Sequence, residues 1–310
     1  MPYDLMIIGQ PSLDINTDHL GHTVREIGGA VVYSGYAAAA LGHSVLALGK
    51  CDPAEIDLPA VFAQAGASAW AANVTLAPCP ADSSTSISNT YHTADKERRT
   101  CRVISRIPAY TPGDLPAAQA AVIHIAGLMR GDIDESVIEA AAKRGDVALD
   151  VQGFLRCARP NGLMEFEDWP RKRELLPLIR FLKTDAAEAE ILTGTADRRQ
   201  AAQMLFDMGA GPLPQREIMI THNTEALVYD GRNCYAEPLR PRGRSGRSGR
   251  GDTCFASYIT ERLTRDIPGG NDIPVALRTA AALVSLKMES PGPFLGGRAD
   301  VERYIREFYG

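Results

Sequence analysis

The segment Gly246-Arg247-Ser248-Gly249-Arg250-Gly251-Asp252-Thr253-Cys254-Phe255 combines residue types suited to transferring an anionic group. Glycines at 246, 249 and 251 free the backbone to turn several N–H groups toward one point. A helix predicted over 255–263 adds the partial positive charge of its N-terminus there. Such a point binds an oxyanion, and the N–H groups of Gly249, Arg250 and Gly251 would stabilise charge that develops during transfer. Asp252, at the rim, is placed to take the proton of a hydroxyl attacking that anion, help worth about 10²–10⁴-fold in rate. The plainer alternative is that Asp252 only caps the helix. Arg240, Arg242, Arg244, Arg247 and Arg250 put five cations within eleven residues of a chain whose net charge is −5, and arginine forks suit phosphate oxygens.

Other candidates lie elsewhere in the chain. Asp14 follows the first predicted strand, at 5–9, with Asn16 close by. A carboxylate there can accept two hydroxyl hydrogen bonds, which suits a polyol; a solvated loop acid is the alternative. Gly28-Gly29 either makes a plain turn or leaves bare backbone against which a ring can lie. Asp150, Gln152 and Arg156 follow a strand predicted at 147–151, and either bond an acceptor or phosphate or cap the next element. Asp185 and Glu188 stand three residues apart, the spacing of one helix face; the alternative is an ordinary exposed acidic face.

The elements that must position these groups alternate. Strands are predicted at 5–9, 45–49, near 74, and at 121–126, 147–151, 181–183 and 217–221. Helices are predicted over 36–41, 55–65, 133–143, 171–176, 186–192 with Gly194 as stop, 201–208, 255–263 and 273–286. Asp230-Gly231 between 226–229 and 233–236 signals a hairpin. Repeated βα units imply an α/β fold with a doubly wound, mainly parallel sheet, helices on both faces and ligands at the carboxyl ends of the strands. The segment 83–106 breaks the pattern. Its β-formers over 85–91, polar turn at Asp95-Lys96-Glu97 and returning strand at 99–104 predict a projecting flap.

The 310 residues are expected to form a single domain spanning 1–310. The acidic balance argues against a nucleic-acid partner, and no apolar run reaches the roughly 18 residues of a membrane helix. The N-terminus is too short and too acidic for a secretory signal. Six cysteines without a Cys-x-x-Cys pair predict reduced thiols in a cytoplasmic protein.

These motifs resemble the ribokinase-like (PfkB) carbohydrate kinase family along nearly the whole chain. The family hallmark Asp-Thr-x-Gly-Ala-Gly-Asp is matched at Gly249, Gly251 and Asp252, with Arg250 in place of alanine. Gly28-Gly29 with Leu41-Gly42 resembles the N-terminal signature, Gly9 with Asp14 the first strand and its substrate acid, and Lys183-Thr184-Asp185-Ala186-Ala187-Glu188 the Asn-x-x-Glu motif. The resemblance implies a ribokinase-like fold: a central sheet of eight or nine strands with a small β lid from about 11–30 and 83–106. It implies transfer of a terminal phosphoryl group from ATP or pyrophosphate to a hydroxyl of a sugar or cyclic polyol. Asp252 would be the base, and Gly249, Arg250 and Gly251 the anion hole. Asp14, Asn16, Gly28, Gly29 and Gln152 would meet the acceptor, and Arg247, Thr221, Arg156 and Lys287 the donor. Lys287 could equally be a helix-end cation. Asp185 and Glu188 would organise Mg2+ through its water shell. Lids of this family often pair across dimers, so the resemblance leaves room for a homodimer through the lid.

The chain departs from the family at two places. Where Thr-x-Gly-x-x-Gly is usual, it reads Thr221-His222-Asn223-Thr224-Glu225-Ala226, so side chains stand where glycines would let a nucleotide lie. The loss of those glycines, together with Arg250 and the arginine run, points from adenosine toward a compact, charged donor. Tyr33 replaces a usual asparagine of the glycine-helix segment, which argues against the family's sugar contact there. The runs at 246–254, 150–156 and 284–293 resemble those of the pyrophosphate-dependent myo-inositol kinase branch, which favours an inositol as acceptor. A nucleoside kinase of the same fold is an alternative, disfavoured by an aromatic content of only 6%. A non-catalytic sugar-binding regulator is another, and it would have no need of Asp252.

Overall fold

Short apolar runs separated by glycine and polar turns build the strands. The computed structural model describes residues 2–66, 68, 70–94, 98–211, 215–264 and 272–310; the turn expected at Asp95-Lys96-Glu97 lies outside them. The chain begins β1 (Tyr3–Ile8), β2 (Ser12–Thr17), β3 (Thr23–Gly28), α1 (Ala30–Ala40), β4 (Val45–Leu48), α2 (Leu58–Ala63), β5 (Val74–Ala77), β6 (Thr85–Tyr91), β7 (Arg99–Ser105) and β8 (Ala120–Ile125). It continues α3 (Ser136–Ala142), β9 (Asp146–Asp150), α4 (Gln152–Leu155), β10 (Arg156–Ala158), β11 (Met164–Phe166), α5 (Lys172–Leu175), β12 (Phe181–Asp185), α6 (Ala186–Thr193) and α7 (Arg198–Met208). Last come β13 (Glu217–Thr221), β14 (Glu225–Tyr229), β15 (Cys234–Pro238), α8 (Arg250–Glu261), α9 (Ile273–Lys287) and α10 (Arg298–Phe308).

Nine strands form the central sheet in the order β15-β14-β13-β12-β9-β8-β1-β4-β5. The seven from β13 to β5 run parallel, and β14 and β15 add an antiparallel hairpin at one edge. Successive strand side chains point to opposite faces. Leu5, Ile7, Val45 and Ala47 pack with α1, α8 and α9, whereas Met6, Ile8, Leu46 and Leu48 pack with α3, α6 and α7. Burial on both faces explains why these strands read as unbroken apolar runs. From β1 the chain winds outward one way through β4 and β5, then returns through β8 in the other direction. The carboxyl ends of β1 and β8 therefore flank a switch point, where such sheets open a crevice. The expected doubly wound, mainly parallel sheet with helices on both faces is present.

A second sheet of four strands, β3-β2-β6-β7, is built from the two segments expected to stand apart. It lies over the carboxyl ends: Asp14 of β2 and Asn89 and Tyr91 of β6 line one cleft with Asp252 of α8.

Several boundaries differ from expectation. The helix predicted at 36–41 starts at Ala30, because burial of all its residues outweighs the low helix preference of Val31, Val32 and Tyr33. The helix predicted at 255–263 starts at Arg250, so two of the glycine-loop residues, Arg250 and Gly251, are helical. The helices expected over 55–65 and 171–176 shrink to α2 and α5. The β10–β11 hairpin and α10 were not anticipated. The latter carries a periodic signal in Val301, Tyr304, Ile305 and Phe308.

One buried charge cluster fixes α8 against the sheet. Glu217 at the start of β13 takes hydrogen bonds from Arg262 Nη2 at 2.6 Å and Nε at 3.0 Å, and from the Tyr258 hydroxyl. Glu217→Ala leaves the guanidinium without its partner, a change of the kind that destabilises by about 3–5 kcal/mol. The expected outcome is a loss of that size in the urea unfolding free energy, with a proportionate fall in midpoint.

Candidate active site

Gly249 adopts a left-handed conformation (φ 71°) as the N-cap of α8, and Asp252 falls in the first turn of the helix. Asp252 was expected just before the helix; the earlier start instead draws it and Gly251 inside. The first N–H groups of a helix lack acceptors within it. That of Arg250 makes one long bond, 3.4 Å, to Arg247 O. The preceding loop is pinned from behind. Gly246 N donates to Met288 O at 2.9 Å, and Lys287 Nζ donates to Gly246 O at 2.7 Å and to Ser248 O. Lys287 is thus a brace for the loop as well as a lining residue of a cleft. Burial lowers its pKa to about 8, against the pull of Asp252 and Glu26.

Beneath this turn runs a line of buried charge. Asp150, at the end of β9, accepts a 2.9 Å bond from Lys183 of β12. Lys183 Nζ lies under Gly251, 3.2 Å from where a Cβ there would sit. Burial works against the charged form of Lys183, but Asp150, Glu188, Asp185 and Asp252 outweigh it and hold its pKa high. Burial, followed by repulsion from Asp150, pushes Asp252 up to about 6, while Lys183 and Lys287 pull it back.

Asp185 and Glu188 are not one exposed helix face. Asp185 is the N-cap of α6, and the two residues form a reciprocal capping box: Glu188 N donates to Asp185 Oδ1 at 2.8 Å and Asp185 N to Glu188 Oε2 at 2.7 Å. Glu188 is only 2% exposed, and burial pushes its pKa up to about 8.

Asp14, Gly29, Tyr33, Gln152, Arg156, Gly249 and Asp252 line a cleft of about 110 Å3. Ser12 Oγ donates to Asp14 Oδ1 at 2.8 Å, and burial raises the Asp14 pKa. Gly28 was expected to admit a ring against bare backbone. A Cβ there would instead stand 2.8 Å from Asp14 Oδ2, so the missing side chain makes room for that carboxylate.

A second cleft, of about 380 Å3, is lined by Arg247, Arg250, Lys287, Asn223 and Asp185, and by Asn16. Asn16, two residues along β2 from Asp14 and so on the same face of the strand, donates to Glu26 Oε2 at 2.7 Å and accepts from Asn89 at 3.0 Å. Arg250 Nη2 donates to Asn223 Oδ1 at 2.6 Å, tying the start of α8 to the β13–β14 turn. Of the five clustered arginines only Arg247 and Arg250 line the cleft. Arg242 forks onto Glu289 at 2.7 and 2.8 Å, and Arg240 lies over the Tyr309 ring. Thr221 and Arg156 do not line it. Thr221 bonds Thr184 O at 3.4 Å beside a minor crevice, and Arg156 belongs to the Asp14 cleft. Ser248, Tyr91 and Arg99 line both clefts, which therefore meet at the loop before α8. Sequence reasoning missed Arg99, Tyr91 and the role of Lys183. The alternation of β6 and β7 could have placed the first two on one face, but nothing local reveals what Lys183 sits beneath.

A solved pyrophosphate-dependent kinase of the ribokinase family, in complex with sulfate, superposes with a TM-score of 0.83 at 30% identity, over 96% of this chain and 99% of its own. A pyrophosphate-dependent kinase of that family bound to a pyrophosphate analogue and myo-inositol gives 0.82 at 30% identity, with coverage of 96% and 99%. Ribokinase of Arabidopsis thaliana, with ribose and ATP, shares the fold at a TM-score of 0.70 and 16% identity over 99% of both chains. No family model and no curated protein matches the chain. The chain belongs to the ribokinase family. It is a phosphotransferase with an alcohol group of a sugar or polyol as acceptor.

Gly249 is the most demanding position of the loop. An added Cβ would lie 2.1 Å from the Tyr33 ring, at a φ that side chains avoid. Gly249→Ala is expected to lower stability by about 1–3 kcal/mol and to reduce turnover more than tenfold, read by thermal unfolding and a phosphotransfer assay on the same preparation.

Proposed function

We propose that this kinase transfers a phosphoryl group from pyrophosphate to a hydroxyl of a cyclic polyol, with an inositol favoured. The observation that carries the reading is the position of Asp252, in the first turn of α8 on the wall of the Asp14 cleft, just after the loop where that cleft meets a cation-lined one. In this reading the wider cleft takes the donor. Its lining is dominated by polar and charged side chains, and Asn223, held by Arg250, stands where a nucleotide would need bare backbone. An inorganic diphosphate offers charge and no apolar surface, and arginine forks match its oxygens. The solved kinases that use pyrophosphate support this choice.

Asp14, Gly29 and Gln152 hold the acceptor ring, with Asp14 accepting two of its hydroxyls. Asp252 accepts the proton of the attacking hydroxyl as its oxygen bonds the phosphorus and the bond from phosphorus to the bridging oxygen breaks. Inorganic phosphate leaves. The N–H groups of Gly249, Arg250 and Gly251 face the transferred oxygens, and Arg247 and Lys287 the departing ones. Asp185 and Glu188 each keep one carboxylate oxygen outside the capping box. That suits Mg2+, an ion that takes one or two carboxylates and fills its shell with water and phosphate; bound there, it would neutralise charge on the donor. Among the described residues no group of three His, Cys, Asp or Glu is arranged as a closed metal site. The four-stranded sheet acts as a lid over one kinase domain. Pairing of lids in a homodimer would cover Leu20 and Val24, now exposed.

Each of pyrophosphate and ATP, at matched Mg2+, should be tested against sugars, inositols and nucleosides. Phosphorylated inositol from pyrophosphate is the expected product. Turnover with ATP alone would overturn the donor, and a nucleoside product the acceptor. Asp252→Asn is expected to keep its unfolding midpoint and lose about 10²–10⁴-fold in kcat; near-normal turnover would remove the base. Because the base must be ionised, kcat/KM should rise with pH through the Asp252 pKa of about 6 and fall away below it; a profile flat from pH 5 to 8 would contradict the assignment.

A further inference from the structure

The β10–β11 hairpin leans on the lid sheet. Val103 N donates to Gly162 O at 2.9 Å and Arg102 Nη1 to Asn161 O at 3.0 Å. Between hairpin, lid and the start of α6 lies a third cavity, of about 400 Å3. Arg99, Gln152 and Arg156 line both this cavity and the 110 Å3 cleft of Asp14 and Asp252. A molecule seated at Asp14 therefore has these three side chains, and a roomier space, at its far end.

The Arg156 guanidinium has no hydrogen-bonded acceptor among the described residues, and Arg99 has one long one. Arg156 is only 7% exposed and packs its guanidinium 5.6 Å from the Phe166 ring centroid. Arg99 reaches in from β7, and its Nη1 stands 3.5 Å from the Tyr91 hydroxyl. Neither forms a salt bridge among the described residues, although the Asp14 carboxylate acts on both; Arg99 is exposed, and the other buried cations Lys50, Lys183, Arg216 and Lys287 each have a carboxylate or carbonyl partner. Arginine cannot shed its proton, so a buried guanidinium without an acceptor is costly. Charge-assisted forks to an oxyanion answer that need. The donor cleft, which Arg99 also lines, has Arg247, Arg250 and Lys287 besides, whereas Arg156 does not line it. Asp185 and Glu188 also line the third cavity, and their charge would favour an anion seated at the arginines.

We infer that the acceptor is a polyol carrying an oxyanion substituent, a phosphate monoester or a carboxylate, which extends from the Asp14 cleft onto Arg156 and Arg99. This rests on the kinase reading above and narrows its substrate class.

The test uses the whole chain with pyrophosphate and Mg2+, and compares myo-inositol, an inositol monophosphate and glucuronate. At least one anionic acceptor should exceed the neutral one about tenfold in kcat/KM, the scale of one charge-assisted hydrogen bond; the one that wins identifies the oxyanion. Arg156→Gln should bring that ratio toward one, raising KM for the anionic acceptor more than KM for pyrophosphate, and Arg156→Lys should restore part of it. Preference for the neutral acceptor over both anions, or a KM increase confined to pyrophosphate, would overturn the inference while leaving the kinase reading intact. Calorimetry without donor reads the same seat independently of turnover. Tighter binding of an anionic acceptor than of myo-inositol, lost in Arg156→Gln, is expected, and equal binding overturns the inference. If no acceptor is phosphorylated by either donor, the kinase reading itself fails, whatever the binding shows.

Discussion

Three carboxylates, Asp150, Glu188 and Asp252, share one low-dielectric region, and the ammonium of Lys183 is the cation that acts on all three. Unpaired, such acids would take up protons to avoid one another. The 2.9 Å pair between Lys183 and Asp150 absorbs much of that repulsion, and leaves Asp252 only moderately raised, so that it can ionise near neutrality. The same ammonium lies directly under Gly251, at the start of the helix that presents Asp252. Electrostatics and placement of the proposed base therefore depend on one buried ion pair joining two adjacent strands.

Around that pair the fold supplies rigid ends rather than flexible loops. Asp150 and Asp185 terminate β9 and β12, and α8 is locked to β13 through Glu217. The loop before α8 is the exception. It has no regular structure of its own, and Lys287 and the Met288 carbonyl shape it from the end of α9. A chain segment roughly forty residues away in sequence thus decides where the anion-binding amides point. The lid sheet contributes the opposite walls, with Asp14 fitted against Gly28 and Arg99 reaching toward both clefts.

Residues that shared a motif were not always found doing one task. The arginine run splits, two members facing the cleft and two bound to the C-terminal region, because a short irregular segment turns its side chains in several directions. Asp185 and Glu188, whose spacing fits a helix face, straddle a helix boundary instead. A capping box has the same three-residue spacing, and only the backbone conformation at Asp185 separates the two. Arg156 follows the strand that carries Asp150, yet the intervening turn of α4 sends it to the acceptor side.

The strand and helix alternation, the parallel sheet, the separate polar hairpin and the glycine-acid motif were legible in the chain alone, since each depends on local periodicity or on residues close in sequence. So was the family, through motifs whose glycines and acids tolerate few substitutes. Tertiary structure alone decided which charged side chains converge: Lys183 beneath Gly251, Arg99 and Arg156 around the Asp14 cleft. Those positions follow from packing between elements far apart in the chain. Side chains five to ten ångströms long can point either way from the same backbone until neighbouring surfaces close around them.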